Sequence, residues 1–153
     1  MDHDLVRVLK SIELFHNLND SQLTRIADIS KRETYDDGEM IIRQGAPGDS
    51  MFVIVSGQVV IGRINGDEVF HPVLYLGQGQ VFGEVALLDQ GVRSASVAAD
   101  QNATVVHAID RTAFLNLCRE DTALGFTVMK NLATDLAFKL RHSNAGKDAA
   151  AGR

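Results

Sequence analysis

A chain of 153 residues is long enough to bury one sizeable core and short for more than one domain. Apolar residues make up 45% and charged residues 23%, as in an ordinary globular domain, and the net charge of -5 argues against a general nucleic-acid surface, which would be basic. No apolar run reaches the roughly 18 residues of a membrane span; Met-Asp-His-Asp-Leu at the N-terminus is no secretory signal; and a single cysteine, Cys118, excludes an internal disulfide and fits a reducing cytoplasm.

Leu5, Val8, Leu9, Ile12 and Phe15 recur three and four apart, which predicts one helix over residues 4–16. Its stripe serves either core packing or a dimer or partner surface. Asn19-Asp20-Ser21 offers a cap for a second helix carrying Leu23, Ile26, Ala27 and Ile29. From Thr34 the pattern changes to strands. Met40-Ile41-Ile42 is short and rich in β-branched residues, and Gly45-Ala46-Pro47-Gly48-Asp49 is a turn. Met51–Val55 and Val59–Ile64 read as strands of a hairpin closed at Ser56-Gly57. Asn65-Gly66-Asp67 is a strong hairpin signal. Pro72 then interrupts 69–76, which predicts an edge strand or a bulge. Residues 94–99 and 104–109 read as the last two strands. Many short strands with frequent turns predict a β-sandwich or barrel, and the terminal helices make the class α+β.

Asp110-Arg111-Thr112 caps a helix bearing Phe114, Leu115 and Leu117. A longer helix is expected over 122–142, where Leu124, Val128, Leu132, Leu136 and Leu140 lie four apart. It is apolar over more than one narrow face. Core packing alone accounts for that breadth; so does one face over a ligand with another against a second subunit. The small polar residues 143–153 read as a disordered tail. That ending leaves no space for a helix-turn-helix, which needs two further helices. The expectation is a stand-alone sensor or a regulatory domain of a longer chain, without nucleic-acid or membrane partners.

The stretch with most chemistry is Phe82-Gly83-Glu84-Val85-Ala86-Leu87-Leu88, followed by Arg93-Ser94-Ala95-Ser96. A glycine lets backbone approach a ligand closely, and the N–H groups at the start of the following helix favour an anion. Arg93 adds a fork that matches phosphate oxygens. Glu84 would repel a bare phosphate. It fits a ligand that also offers a hydroxyl donor, such as a ribose 2′-OH. The residues alone therefore point to a sugar phosphate. Val81, Phe82, Leu87 and Leu88 read as core.

This stretch closely resembles the phosphate-binding cassette of cyclic nucleotide-binding domains. The run from Arg43 through Gly45, Gly48 and Gly57 to Val59 is similar to the same family's turn with its flanking strands. The resemblance covers about residues 12 to 142. It implies an eight-stranded jelly roll over 31–110, holding the cassette 82–96, between an N-terminal helical segment, 1–30, and lid helices, 111–142. It implies that Arg93 pairs with the cyclic phosphate, that Glu84 accepts from the ribose, and that Gly83, Val85, Ala86 and Ser94 bring backbone donors to ribose and phosphate. Ala95 would keep the strand close. Ser96 would bear on the choice between cAMP and cGMP, with cAMP expected. The last helix would close over the base, and the output would be a protein partner or a homodimer.

Other chemistry has little support. The five histidines have no metal-ligand spacing, and Asp36-Asp37-Gly38-Glu39 lacks the alternation of a calcium loop. No GxSxG, HExxH or Walker sequence occurs, so neither a cofactor nor an enzyme is expected. The alternative to a sensor is an interaction module that kept the fold and lost the response. Retention of Gly83, Glu84, Ala86 and Arg93 favours the sensor.

Overall fold

The computed structural model describes residues 3–151. The N-terminal stripe folds as helix, but not as one rod. α1 spans His3–Lys10. At its end the Ser11 and Ile12 N–H groups bond to carbonyls three residues back, those of Val8 and Leu9, and the Ser11 hydroxyl also donates to Val8. These tighter bonds close the helix. Ile12 is extended, and Glu13–Phe15 form a separate 3-10 turn. α2, Asp20–Ile29, begins at Asn19, whose side chain accepts from the Gln22 N–H while the Gln22 side chain accepts from the Asn19 N–H. Such a reciprocal cap contributes about 1 kcal/mol.

Eight strands follow: β1 Ser30–Tyr35, β2 Met40–Ile42, β3 Ser50–Ser56, β4 Gln58–Ile64, β5 Phe70–Gly77, β6 Val81–Phe82, β7 Ser96–Ala99 and β8 Thr104–Asp110. They form two four-stranded antiparallel sheets, ordered β1-β8-β3-β6 and β2-β7-β4-β5. This is the jelly roll with flanking helices, and the class is α+β. β1 starts before the predicted change at Thr34. It is too polar to read as a strand, and pairing with β8 from Ser30↔Ile109 to Tyr35↔Thr104 holds it extended.

The expected hairpin at Ser56-Gly57 does not form. β3 pairs with β8 and β6, while β4 pairs with β5 and β7, so the chain crosses here from one sheet to the other. Gly57 makes the crossing at φ 87°, and a Cβ on it would lie 2.8 Å from Thr104 Cα. The β4–β5 connection is a hairpin, although Glu68, not Gly66, takes the positive φ. β5 is an edge strand and also carries the bulge: the register passes from Ile61↔Leu74 to Gly62↔Pro72 and skips Val73. Both follow from Pro72, which has no N–H to give a ladder.

β3 links two cores. Phe52 and Ile54 face between the sheets, with Ile42, Val59, Phe82, Val97 and Val106. Met51 and Val53 alternate to the other face and pack against Leu9, Phe15, Ile26, Phe114, Leu124 and Leu132 of the helical layer. A strand buried on both faces must read as an unbroken apolar run, as Met51–Val55 does.

The Asp110 carboxylate caps α3, Arg111–Glu120, and Asp121 accepts from the Leu124 N–H at the start of α4, Thr122–Ala151. α4 thus runs past the expected end at His142. Of the expected tail, residues 152 and 153 lie outside the described residues. Among those described, no helix is long and apolar enough to cross a membrane.

Gly57→Ala should lower stability by about 1–3 kcal/mol, because it adds a steric clash to a disfavoured φ. Gly38→Ala has the same φ with open space around it and should lose less. Urea unfolding of the two variants tests this, and equal losses would show that the approach to Thr104 is not the constraint.

Candidate functional site

Gly83 follows β6 in the left-handed region, at φ 73° and ψ 14°. It turns the chain into Glu84–Leu87, which is a single 3-10 turn and not the expected α-helix. The Ala86 N–H bonds back to Gly83 O at 3.2 Å, which tightens the turn. The amides ahead of it, on Glu84 and Val85, are the ones such a turn leaves without internal partners. A Cβ on Gly83 would lie 2.8 Å from Arg93 Nη1, so glycine serves both the turn and the approach of the guanidinium.

Arg93 is fixed at both ends. Its backbone N–H donates to Ala46 O at 2.7 Å, and its carbonyl accepts from Gly45 N at 2.8 Å. Its guanidinium donates from Nη1 to Gly83 O and from Nη2 to Ser50 O. Two of five donors are thereby used, and the rest remain for an anion. Burial pulls the Arg93 pKa below its ordinary value, and nearby Asp49 partly offsets this. The guanidinium is thus partly shielded from solvent, which strengthens a contact to phosphate.

These groups border a cavity of about 1280 Å³. Gly83, Glu84, Val85, Ala86, Arg93, Ser94 and Ala95 all line it. Ser96 does not join them. It is buried at the start of β7, and its hydroxyl accepts from the Gln44 N–H at 2.9 Å. Of the two serines of this segment, Ser94 is the one that lines the cavity. Of the four residues read as core, Phe82 and Leu87 are buried, and Val81 packs on the helical layer while also lining the cavity. Leu88 is instead 47% exposed, because the short turn ends before it can reach the core.

Several lining residues were not identifiable from the sequence. Ile42, Ile61, Leu74, Leu76 and Val97 form an apolar wall on the inner side of the β2-β7-β4-β5 sheet. α4 supplies Asn131, Leu132, Asp135, Phe138 and Lys139. Asn131 holds this helix in place, donating to Leu14 O at 3.0 Å and His16 O at 2.9 Å. The Phe138 ring is 54% exposed and lies 4.0 Å, centroid to centroid, from that of His142. Lys139 reaches both Glu84, at 3.8 Å, and Asp135, at 2.9 Å. Bonding to Asp135 first, against burial and with help from Glu84, holds the Lys139 pKa above its usual value. The Asp135–Lys139 spacing of four was the one signal of a charged patch on this face of α4. The arrangement can hold a compact molecule with one anionic group, a hydroxyl donor and a flat apolar part.

The family model described as cyclic nucleotide-binding domain matches residues 32–121. The cGMP-dependent protein kinase egl-4 of Caenorhabditis elegans is 40% identical over 111 residues, which is 72% of this chain and 14% of the kinase. The cyclic AMP receptor protein of Thermus thermophilus is 33% identical over 140 residues, 92% of this chain and 62% of the receptor. The crystal structure of Thermus thermophilus catabolite activator protein superposes with a TM-score of 0.79 at 32% identity, covering 91% of this chain and 63% of that one. The chain therefore spans a small part of the kinase and under two thirds of the receptor.

Gly83→Ala should dislodge the Arg93 guanidinium without unfolding the protein. The expected result is a shifted Arg93 Nε–Hε resonance in NMR spectra with unchanged far-UV circular dichroism. An unmoved resonance would show that Gly83 does not set the position of Arg93.

Proposed function

Since the chain belongs to the cyclic nucleotide-binding domain family, we propose that it is a non-enzymatic sensor of a 3′,5′-cyclic nucleotide, cAMP in preference to cGMP. The ligand fills the cavity between cassette and α4 and biases the position of that helix. The observation that carries this reading is the convergence of Arg93 and Glu84, nine residues apart in sequence, on one cavity with an apolar wall.

In this reading Arg93 pairs with the exocyclic phosphate oxygens, assisted by N–H groups of the Gly83–Ala86 turn and of Ser94. Glu84 accepts from the ribose 2′-OH. Ala86 and Ala95 are small enough to leave the phosphate space. The base lies against the aliphatic wall, with Phe138 of α4 over it. Two observations support cAMP. The Ser96 hydroxyl, at the position expected to read guanine, is engaged by Gln44, and Ser96 does not line the cavity. The cyclic AMP receptor protein also covers 92% of this chain. Movement of α4 would be read by a protein partner or a second copy of the chain. The cytoplasm is the proposed setting, where a lone, partly buried thiol such as Cys118 stays reduced.

Calorimetric titration with cAMP and cGMP tests the assignment. Arg93→Ala should weaken binding by about tenfold to a hundredfold, from roughly 1.5–3 kcal/mol for a hydrogen-bonded charge. The 2′-deoxy analogue should bind more weakly than cAMP, and equal binding would remove Glu84 from the ribose site. Tighter binding of cGMP would reverse the choice of base. No binding of either nucleotide to protein stripped of bound ligand would leave the interaction module as the function.

A further inference from the structure

The carboxylate assigned to the ribose has a partner on α4. Lys139 Nζ lies 3.8 Å from Glu84 Oε1, and among the described residues this is the only ion pair between α4 and the cassette. Glu84 is well sheltered, its side chain 16% exposed, whereas Lys139 is 59% exposed. The lysine therefore approaches from the solvent side the group that a ribose hydroxyl would need, and it lines the same cavity. A hinge point is available below it. Asn131 and Leu132, two turns earlier, anchor α4 to the 3-10 turn and the helical core. Leu136 also packs on that core, and Lys139 lies about one turn beyond it, so the lysine holds the part of α4 past these contacts.

We propose that Lys139 is a ribose-specificity residue: it latches α4 onto Glu84, and the ribose 2′-hydroxyl competes with it for that carboxylate. The proposal rests on the role given to Glu84 above. Asp135 makes the exchange easy. It lies one turn back on the same helix face and holds the ammonium at 2.9 Å, so Lys139 keeps a partner when Glu84 turns to the ribose. An ion pair this open to solvent is weak. A weak pair with a second acceptor beside it suits a latch that one hydroxyl can open. The consequence is particular: Lys139 lowers affinity for ligands that use Glu84 and leaves alone those that do not.

The test compares the full chain with Lys139→Met, each titrated calorimetrically with cAMP and with 2′-deoxy-cAMP, together with hydrogen exchange of the nucleotide-stripped proteins. Lys139→Met should bind cAMP about two- to fivefold more tightly, the range open to a partly exposed pair, and 2′-deoxy-cAMP unchanged. Exchange in α4 beyond Leu136 should quicken. Weaker binding of both nucleotides would show that Lys139 touches the phosphate or base, and would overturn the competition. Unchanged affinities, or unchanged exchange, would overturn the latch. If neither protein binds any nucleotide, the sensor reading fails and the competition with it, while the exchange comparison still decides whether Lys139 holds α4.

Discussion

The site depends on one set of backbone hydrogen bonds between the 45–48 turn and the 91–93 segment. Gly45 and Gly48 donate to Arg93 and Gly91, and Arg93 donates to Ala46. These bonds tie two otherwise irregular segments together in the manner of a short antiparallel ladder. They set the Cα of Arg93, and the carbonyls of Gly83 and Ser50 then set its guanidinium. Gly48 is part of this constraint. A Cβ there would press on Gly91 O at 3.1 Å and force the two segments apart. An arginine side chain in solution visits many rotamers. Here that entropy is lost in folding and need not be lost again in binding.

The same fold ties the cavity to the helical layer. β3 shares its side chains between the two cores, and α4 does something similar along its length. Leu124, Val128 and Leu132 bury against the helices, while Asp135, Phe138 and Lys139, one to two turns beyond Leu132, line the cavity. A helix packed as far as Leu136 and resting beyond it on an ion pair can change its position at that end without disturbing the core. A ligand that meets both the cassette and the free end biases that position by its differential contacts, which is all that coupling requires.

Much of the fold was legible because its signals are local. Caps at Asn19 and Asp110, the Pro72 interruption, and the apolar run of β3 each act within a few residues. The errors share a cause as well. Ser56-Gly57 has the composition of a hairpin turn, yet the strands on either side bond to different sheets. β1 carries no apolar pattern and is a strand only because β8 lies beside it. Leu88 follows the cassette's helical pattern, but the turn ends too soon to bury it.

For the site, the sequence by itself determined the residue types and their order: a glycine for a left-handed turn, a carboxylate after it, an arginine nine residues on, and small residues between and beyond. Those are demands of backbone geometry and charge that hold whatever the rest of the chain does. Only the tertiary structure decided which serine lines the cavity, Ser94 and not Ser96, which side chains form the apolar wall, and that Lys139 answers Glu84 from α4. Glu84 and Lys139 are 55 residues apart, and nothing local relates them. Their meeting follows from the packing of α4 on the 3-10 turn and the helical core, where buried apolar area sets the helix position and the polar contacts follow.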